Sequence, residues 1–177
     1  MNRNIILLIG LFFSSCSNNS YMTGGKYSPI IKGPVNNWGT FKYKNVKGYV
    51  TRTPWVYELV ANDTLTSLVS ERFEISLTAN QEKKLFEILN KVEADVEYAI
   101  TDCFYPRHGF VFWDSVGRPS AHISICFECN KLQAQPELDK FDLAELKIFC
   151  REIGLPVFDN AIKHKDYFDS LDRKNSH

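Results

Sequence analysis

Two β-rich runs on either side of a glycine turn constrain this chain more than any other feature. Residues 103–129 read Cys-Phe-Tyr-Pro-Arg-His-Gly-Phe-Val-Phe-Trp-Asp-Ser-Val-Gly-Arg-Pro-Ser-Ala-His-Ile-Ser-Ile-Cys-Phe-Glu-Cys. The polar centre contains Gly117 and Pro119, which favour a turn over a continuous strand. In the second run Ala121, Ile123, Ile125, Phe127 and Cys129 share one face, and His122, Ser124, Cys126 and Glu128 share the other. That period of two is what a half-buried strand requires. Folding about Val116 and Gly117 pairs Phe112 with Ala121 and Phe110 with Ile123, keeping the large apolar side chains together. Followed to its base, the register brings Cys103 within a residue or two of Cys129. The stretch therefore predicts a long hairpin, about 108–129, with Cys103, Cys126 and Cys129 at its open end.

The flanking sequence supplies the rest of an α+β domain. From Val46 to Leu77 the reading is mostly β: Tyr49 and Thr51, then Trp55, Tyr57 and Leu59, alternate with more polar neighbours, and Asn62-Asp63 marks a turn. Thr78 with Gln81 forms a capping box, and Leu85, Ile88, Leu89 and Val92 follow at helical spacing, predicting a helix over about 79–93. Asp142 with Glu145 starts a second helix over about 143–153, which Gly154 and Pro156 end. Its inner face holds Leu143, Leu146, Cys150 and Ile153, so Cys150 reads as a buried apolar residue. A short terminal helix is expected within 159–170. Strands, helix, hairpin and helix in this order predict a small antiparallel sheet with two main helices packed on it. The domain is expected over 46–170, with a polar tail at 171–177.

The N-terminus reads as an address. One charge at Arg3 precedes the apolar run Ile5 to Phe13, which as a helix spans roughly 13 Å and falls short of a ~30 Å hydrocarbon core. It is therefore expected to be a signal peptide, residues 1–15, and not a membrane span. Phe13-Ser14-Ser15-Cys16 resembles the lipobox of bacterial lipoproteins, with Phe13 standing where that box usually has leucine. The resemblance implies that Cys16 is acylated and becomes the mature N-terminus, so that the bilayer is a partner through its lipid. Residues 16–45, rich in Ser, Asn, Gly and Lys, then read as lipidated N-terminus and tether, whose aromatics (Tyr21, Tyr27, Trp38, Phe41, Tyr43) suggest that its later half lies along the folded body. Ser17 after the cysteine, with no acidic residue beside it, favours the outer over the inner membrane.

Charge adds an exclusion. The 21 basic and 21 acidic side chains balance, and losing residues 1–15 removes only Arg3. A nucleic-acid partner, which would need a basic excess, is not expected.

The odd count of five cysteines resolves once Cys16 is lipidated, leaving four in an oxidising envelope. Three readings compete for the hairpin mouth. The exported location favours a structural disulfide, Cys103 to Cys129 first and Cys103 to Cys126 next. A zinc site would use Cys103, Cys126, Cys129 and His108 as a Cys₃His set, and would require the chain to turn at Phe127-Glu128. Thiol redox chemistry would use the same cysteines, without the helix N-terminus that usually lowers a C-x-x-C pKa. Reduced, buried thiols without chemistry are the fourth alternative. No cofactor is expected beyond that possible zinc.

Cys-Phe-x-Pro-Arg-His-Gly-x-x-Phe followed by Ile-Cys-Phe-Glu-Cys resembles a widespread group of uncharacterised bacterial proteins, many with exported or lipoprotein N-termini. The resemblance covers about residues 78–158 and implies one domain around the cysteine hairpin, with no mechanism attached. Arg107, His108 and Glu128 form a possible polar site, although hairpin-edge polar residues are the simpler expectation for Arg107, His108 and His122. His164 and His177, in polar sequence, read as solvated. Glu71, Glu74, Glu93, Asp95 and Glu97 read as solvated faces, and no nucleophile elbow, phosphate loop or dinucleotide fingerprint occurs. The sequence thus points to an envelope lipoprotein with a non-catalytic binding or structural domain stapled by a hairpin disulfide. Its alternative is a periplasmic thiol-redox or zinc-binding protein using the three hairpin cysteines.

Overall fold

Alternation of apolar side chains along the hairpin builds the centre of a five-stranded antiparallel sheet. In the computed structural model, which describes residues 38–91, 103–138 and 141–175, β5 (His108–Trp113) pairs with β6 (Pro119–Cys126). Phe112 faces Ala121 and Phe110 faces Ile123, the register that the apolar pattern requires. The turn is closed by Asp114, whose Oδ1 accepts the N–H groups of Val116 and Arg118 at 2.9 and 2.8 Å. Gly117 takes φ +80°, a conformation that side chains resist. A shift of register between Phe112 and Trp113 is absorbed there.

The sheet order is β4-β1-β5-β6-β7. β1 (Asn45–Val50) lies between β5 and the two-residue β4 (Ile75–Ser76), and β7 (Lys131–Gln135) forms the other edge. A separate small hairpin joins β2 (Val60–Ala61) to β3 (Thr64–Leu65). Its turn is Asn62-Asp63, both at positive φ, as tight hairpins require. The expected strand at Trp55, Tyr57 and Leu59 does not form. That segment is irregular, with Trp55 and Tyr57 exposed while Val56 and Leu59 are buried, because Pro54 removes a donor and the chain leaves the sheet after Thr51.

One face of the sheet carries the helices. α1 (Ala79–Leu89) opens with the expected capping box, Thr78 and Gln81 exchanging hydrogen bonds. α2 (Leu143–Glu152) opens on Asp142, which accepts the Glu145 N–H at 2.8 Å. It closes in a Schellman motif, with Gly154 at φ +91° and the Leu155 N–H bonded to the Cys150 carbonyl at 2.9 Å. Leu85, Ile88 and Leu89 of α1 and Leu146, Phe149 and Cys150 of α2 pack with Val46, Phe110, Phe112, Ile123 and Ile125 of the sheet. Burial removes each large side chain from water at a gain of about 1.5–3 kcal/mol. Phe112 is the hub of an aromatic cluster, with the rings of Trp38, Phe41, Tyr43 and Phe86 at 5.1 to 6.0 Å from one another or from it. Trp38, Phe41 and Tyr43, ahead of β1, are therefore built into the core. Asn90 clamps it, accepting the Trp38 N–H and donating to the Trp38 carbonyl.

The opposite face carries a smaller cluster of Tyr49, Leu59 and Val111, covered by Val60 and Leu65 of the β2–β3 hairpin. α3 (Ala161–Asn175) runs longer than the terminal helix expected from the sequence. Phe168 and His164 of α3 are buried, with ring contacts to Phe158 and Phe73. All described residues belong to one compact unit, Lys32–His177. The expected signal peptide, Cys16, most of the expected tether, the acidic set Glu93, Asp95 and Glu97, and His177 lie outside the described residues.

Candidate functional site

The three hairpin cysteines meet at the open end, as the register requires, and the bonded pair is Cys126–Cys129. The expected pairing of Cys103 with Cys129, or with Cys126, is thereby corrected. In an extended strand residues three apart are about 10 Å from each other; here the Cα atoms are 5.2 Å apart, inside the range a disulfide spans. The contraction comes from a turn over 127–130, ended by Asn130 at φ +52°, which reverses the chain into β7. The Cys129 N–H donates to Cys126 Sγ at 3.2 Å. Cys103 Sγ lies 4.0 Å from Cys129 Sγ. Cys126 and Cys129 are buried and Cys103 is exposed.

Magnitudes separate this bond from the expected staple. A disulfide closing a loop of about 27 residues removes roughly 3.5 kcal/mol of unfolded-chain entropy, whereas one closing about four removes roughly 2. The observed pair pins the β6–β7 turn and leaves the hairpin mouth unstapled.

Arg107 and His108 are buried, not edge residues. Arg107 extends the ladder one position beyond β5, its N–H bonded to the Ile125 carbonyl and its carbonyl accepting the Thr51 N–H. Its guanidinium, 6% exposed, pairs with Glu128 at 2.6 Å. The same Glu128 oxygen accepts the Ala161 N–H at 3.1 Å, tying the turn to the first residue of α3. His108 Nε2–H donates to the Pro156 carbonyl at 2.8 Å, and its ring rests on Phe127 at 5.0 Å. Burial pushes the His108 pKa down to about 3, against the Pro156 hydrogen bond and with His164, Arg107 and Lys147 adding to the effect, so the ring is neutral. His164, expected as solvated, has no exposed surface and donates from Nε2–H to the Thr51 carbonyl at 2.7 Å. Its burial lowers its pKa to about 4. Cys150 lies in the core as the helical spacing predicts, and burial raises its thiol pKa well above the ordinary value.

The zinc set read from the sequence comprises Cys103, Cys126, Cys129 and His108. Two of its sulfurs are bonded to each other, His108 is held by Pro156, and among the described residues no group of three or more His, Cys, Asp or Glu side chains is placed to hold a metal ion.

A second feature, missed by sequence reasoning, lies on the sheet face away from α1 and α2. Asn45, Lys47 and Tyr49 of β1, Leu65, Glu74 and Trp113 line an open cleft of about 490 Å³. Trp113 Nε1–H donates to the Tyr49 hydroxyl at 3.1 Å, and Lys47 pairs with Glu74. The available signal was the odd-numbered face of residues 45–49 and of 109–113, where polar and aromatic side chains accumulate.

Neither a protein-family model, nor a curated protein, nor a solved structure matches this chain.

Proposed function

We propose that the chain is a lipid-anchored protein of the bacterial cell envelope whose α+β domain binds a partner without turning it over. The reading of the anchor rests on the leader and Cys16. The observation that carries the second half is the engagement of the acid–base candidates. His108 is neutral, buried and bonded to a backbone carbonyl, and Glu128 is held between Arg107 and the start of α3. Groups committed to the fold in this way have neither the access nor the mobility that proton transfer to a substrate demands. The cleft at Tyr49 and Trp113 provides a concave surface on which these aromatic side chains stand beside Asn45, Lys47 and Glu74, and it is the surface this reading assigns to the partner. Among the described residues no helix is long and apolar enough to cross a membrane, and in this reading attachment is by lipid.

Two measurements test the proposal. Metabolic labelling with a tagged fatty acid is expected to mark the wild-type chain and not Cys16→Ser, with the labelled protein in the outer-membrane fraction; label on both or on neither refutes the anchor. In a deletion strain with a measurable envelope phenotype, His108→Asn is expected to complement and Lys47→Glu/Trp113→Ala is not. The reverse pattern, with both variants folded, refutes the binding role.

A further inference from the structure

The sulfur geometry carries an activity independent of what the cleft binds. We propose that Cys103 is a thiol-exchange port, through which the buried Cys126–Cys129 disulfide oxidises thiols outside the domain. Three observations support it. Cys129 Sγ is bonded to Cys126 and lies 4.0 Å from Cys103 Sγ, so one sulfur is shared between two possible bonds. The two bonded cysteines are 0% and 3% exposed while Cys103 is exposed, so a thiol in solution reaches the third sulfur first. The Cys129 N–H already points at Cys126 Sγ at 3.2 Å, where it stabilises negative charge on that sulfur as it leaves.

The chemistry balances without an added oxidant. The Cys103 thiolate attacks Cys129 Sγ, the Cys103–Cys129 bond forms, and the Cys129–Cys126 bond breaks. Cys126 departs as thiolate and takes a proton equivalent to the one Cys103 lost, so this first step is redox-neutral. The disulfide now includes the exposed sulfur. An external thiolate attacks Cys103, forming a mixed disulfide and releasing Cys129. A second external thiol displaces Cys103 and leaves as the oxidised pair, and the domain retains Cys126 and Cys129 as thiols. Two electrons have passed from two external thiols to the resident disulfide. The substrate class is a thiol, borne by a small molecule or by a cysteine in a polypeptide.

The test uses oxidised mature protein, quenched in acid at intervals after addition of reduced glutathione or of a synthetic peptide with two cysteines. Alkylation and mass spectrometry follow each bond. Wild type is expected to lose the Cys126–Cys129 bond with transient Cys103–Cys129 linkage, and Cys103→Ser, an exposed change, is expected to slow that loss by roughly tenfold or more. The probe with the larger rate constant assigns the port to polypeptide or to small thiols. Cys126→Ser is expected to form the Cys103–Cys129 bond on mild oxidation. Reduction of Cys103→Ser at the wild-type rate overturns the proposal. So does a folded Cys126→Ser that never links Cys103 to Cys129.

Discussion

Lowering the pH from 7.5 to 5 should destabilise this domain by about 4 kcal/mol, through two histidines that the fold keeps neutral. In an unfolded chain a histidine titrates near pH 6.5. In the fold, burial holds His108 at about 3 and His164 at about 4. Between those values and 6.5 the unfolded chain binds protons that the folded chain refuses. Stability is therefore fully present above pH 6.5 and falls as pH drops, the loss levelling off below the folded values. At pH 5, 1.5 units below the unfolded pKa, each histidine costs about 2 kcal/mol, a large part of the 5–15 kcal/mol that typical domains possess. The groups around the rings are part of those two values. His164, Arg107 and Lys147 lower the His108 value and Arg107 lowers the His164 value, against the Pro156 and Thr51 carbonyls, whose hydrogen bonds raise them, and both rings lie against aromatic neighbours, Phe127 for one and Phe158 with Phe168 for the other. His122, half-buried on β6, is shifted the same way by its burial and adds a smaller share. Asp114 and Asp159 have lowered pKa values and act only at more acid pH. Urea titrations at half-unit steps from pH 7.5 to 4.5 read the slope, which should approach 2.7 kcal/mol per pH unit, or about two protons taken up on unfolding. A folded His164→Gln should keep about half of that slope. Stability that is flat between pH 7.5 and 5, or an uptake well below one proton, would refute the assignment of both rings as buried and neutral.

Three further perturbations probe separate contacts. A Cβ at Gly109 falls inside van der Waals contact with Leu59 Cδ2 and the Ile123 carbonyl oxygen, so Gly109→Ala should cost about 3 kcal/mol; a cost under about 0.5 kcal/mol in denaturant titration would contradict the packing of Leu59 on β5. Glu128→Gln leaves a buried guanidinium without its carboxylate and should cost about 3 kcal/mol or more, whereas Arg107→Met leaves a half-exposed carboxylate and should cost about 2; the opposite ranking would disprove the asymmetric burial. Asn90→Ala removes the hydrogen bonds that hold Trp38 to the end of α1 and should cost about 2 kcal/mol. New tryptic cleavage near Lys42 and Lys44 should accompany that loss, and an unchanged digestion pattern would contradict the clamp.

What was legible in the sequence was whatever depended on local period. The hairpin register followed from alternation plus Gly117, the helix starts from Thr78 with Gln81 and from Asp142, and the burial of Cys150 from its place in the apolar stripe of α2. What was not legible depended on reversals or on distant covers. The Cys126–Cys129 bond requires Asn130 in a left-handed conformation, which strand periodicity cannot report. β7 is an edge strand whose Lys131, Gln133 and Gln135 hide its pairing with β6. His164, between Lys163 and Lys165, reads as solvated until α3 lays it against Phe158 and Phe168. Arg107 and His108 read as edge residues because their partners, Glu128 and Pro156, lie in a turn and a loop that the hairpin alone does not place.

The division of labour among the cysteines is the central claim, and one measurement addresses it directly. Protein extracted from envelopes, acid-quenched, alkylated and mapped by mass spectrometry without reductant should begin at a diacylglyceryl-modified Cys16. It should show Cys126 joined to Cys129, with a minor population in which Cys103 has replaced Cys126. An unmodified Met1 terminus together with alkylation of Cys103, Cys126 and Cys129 alike would contradict both the anchor and the exchange site.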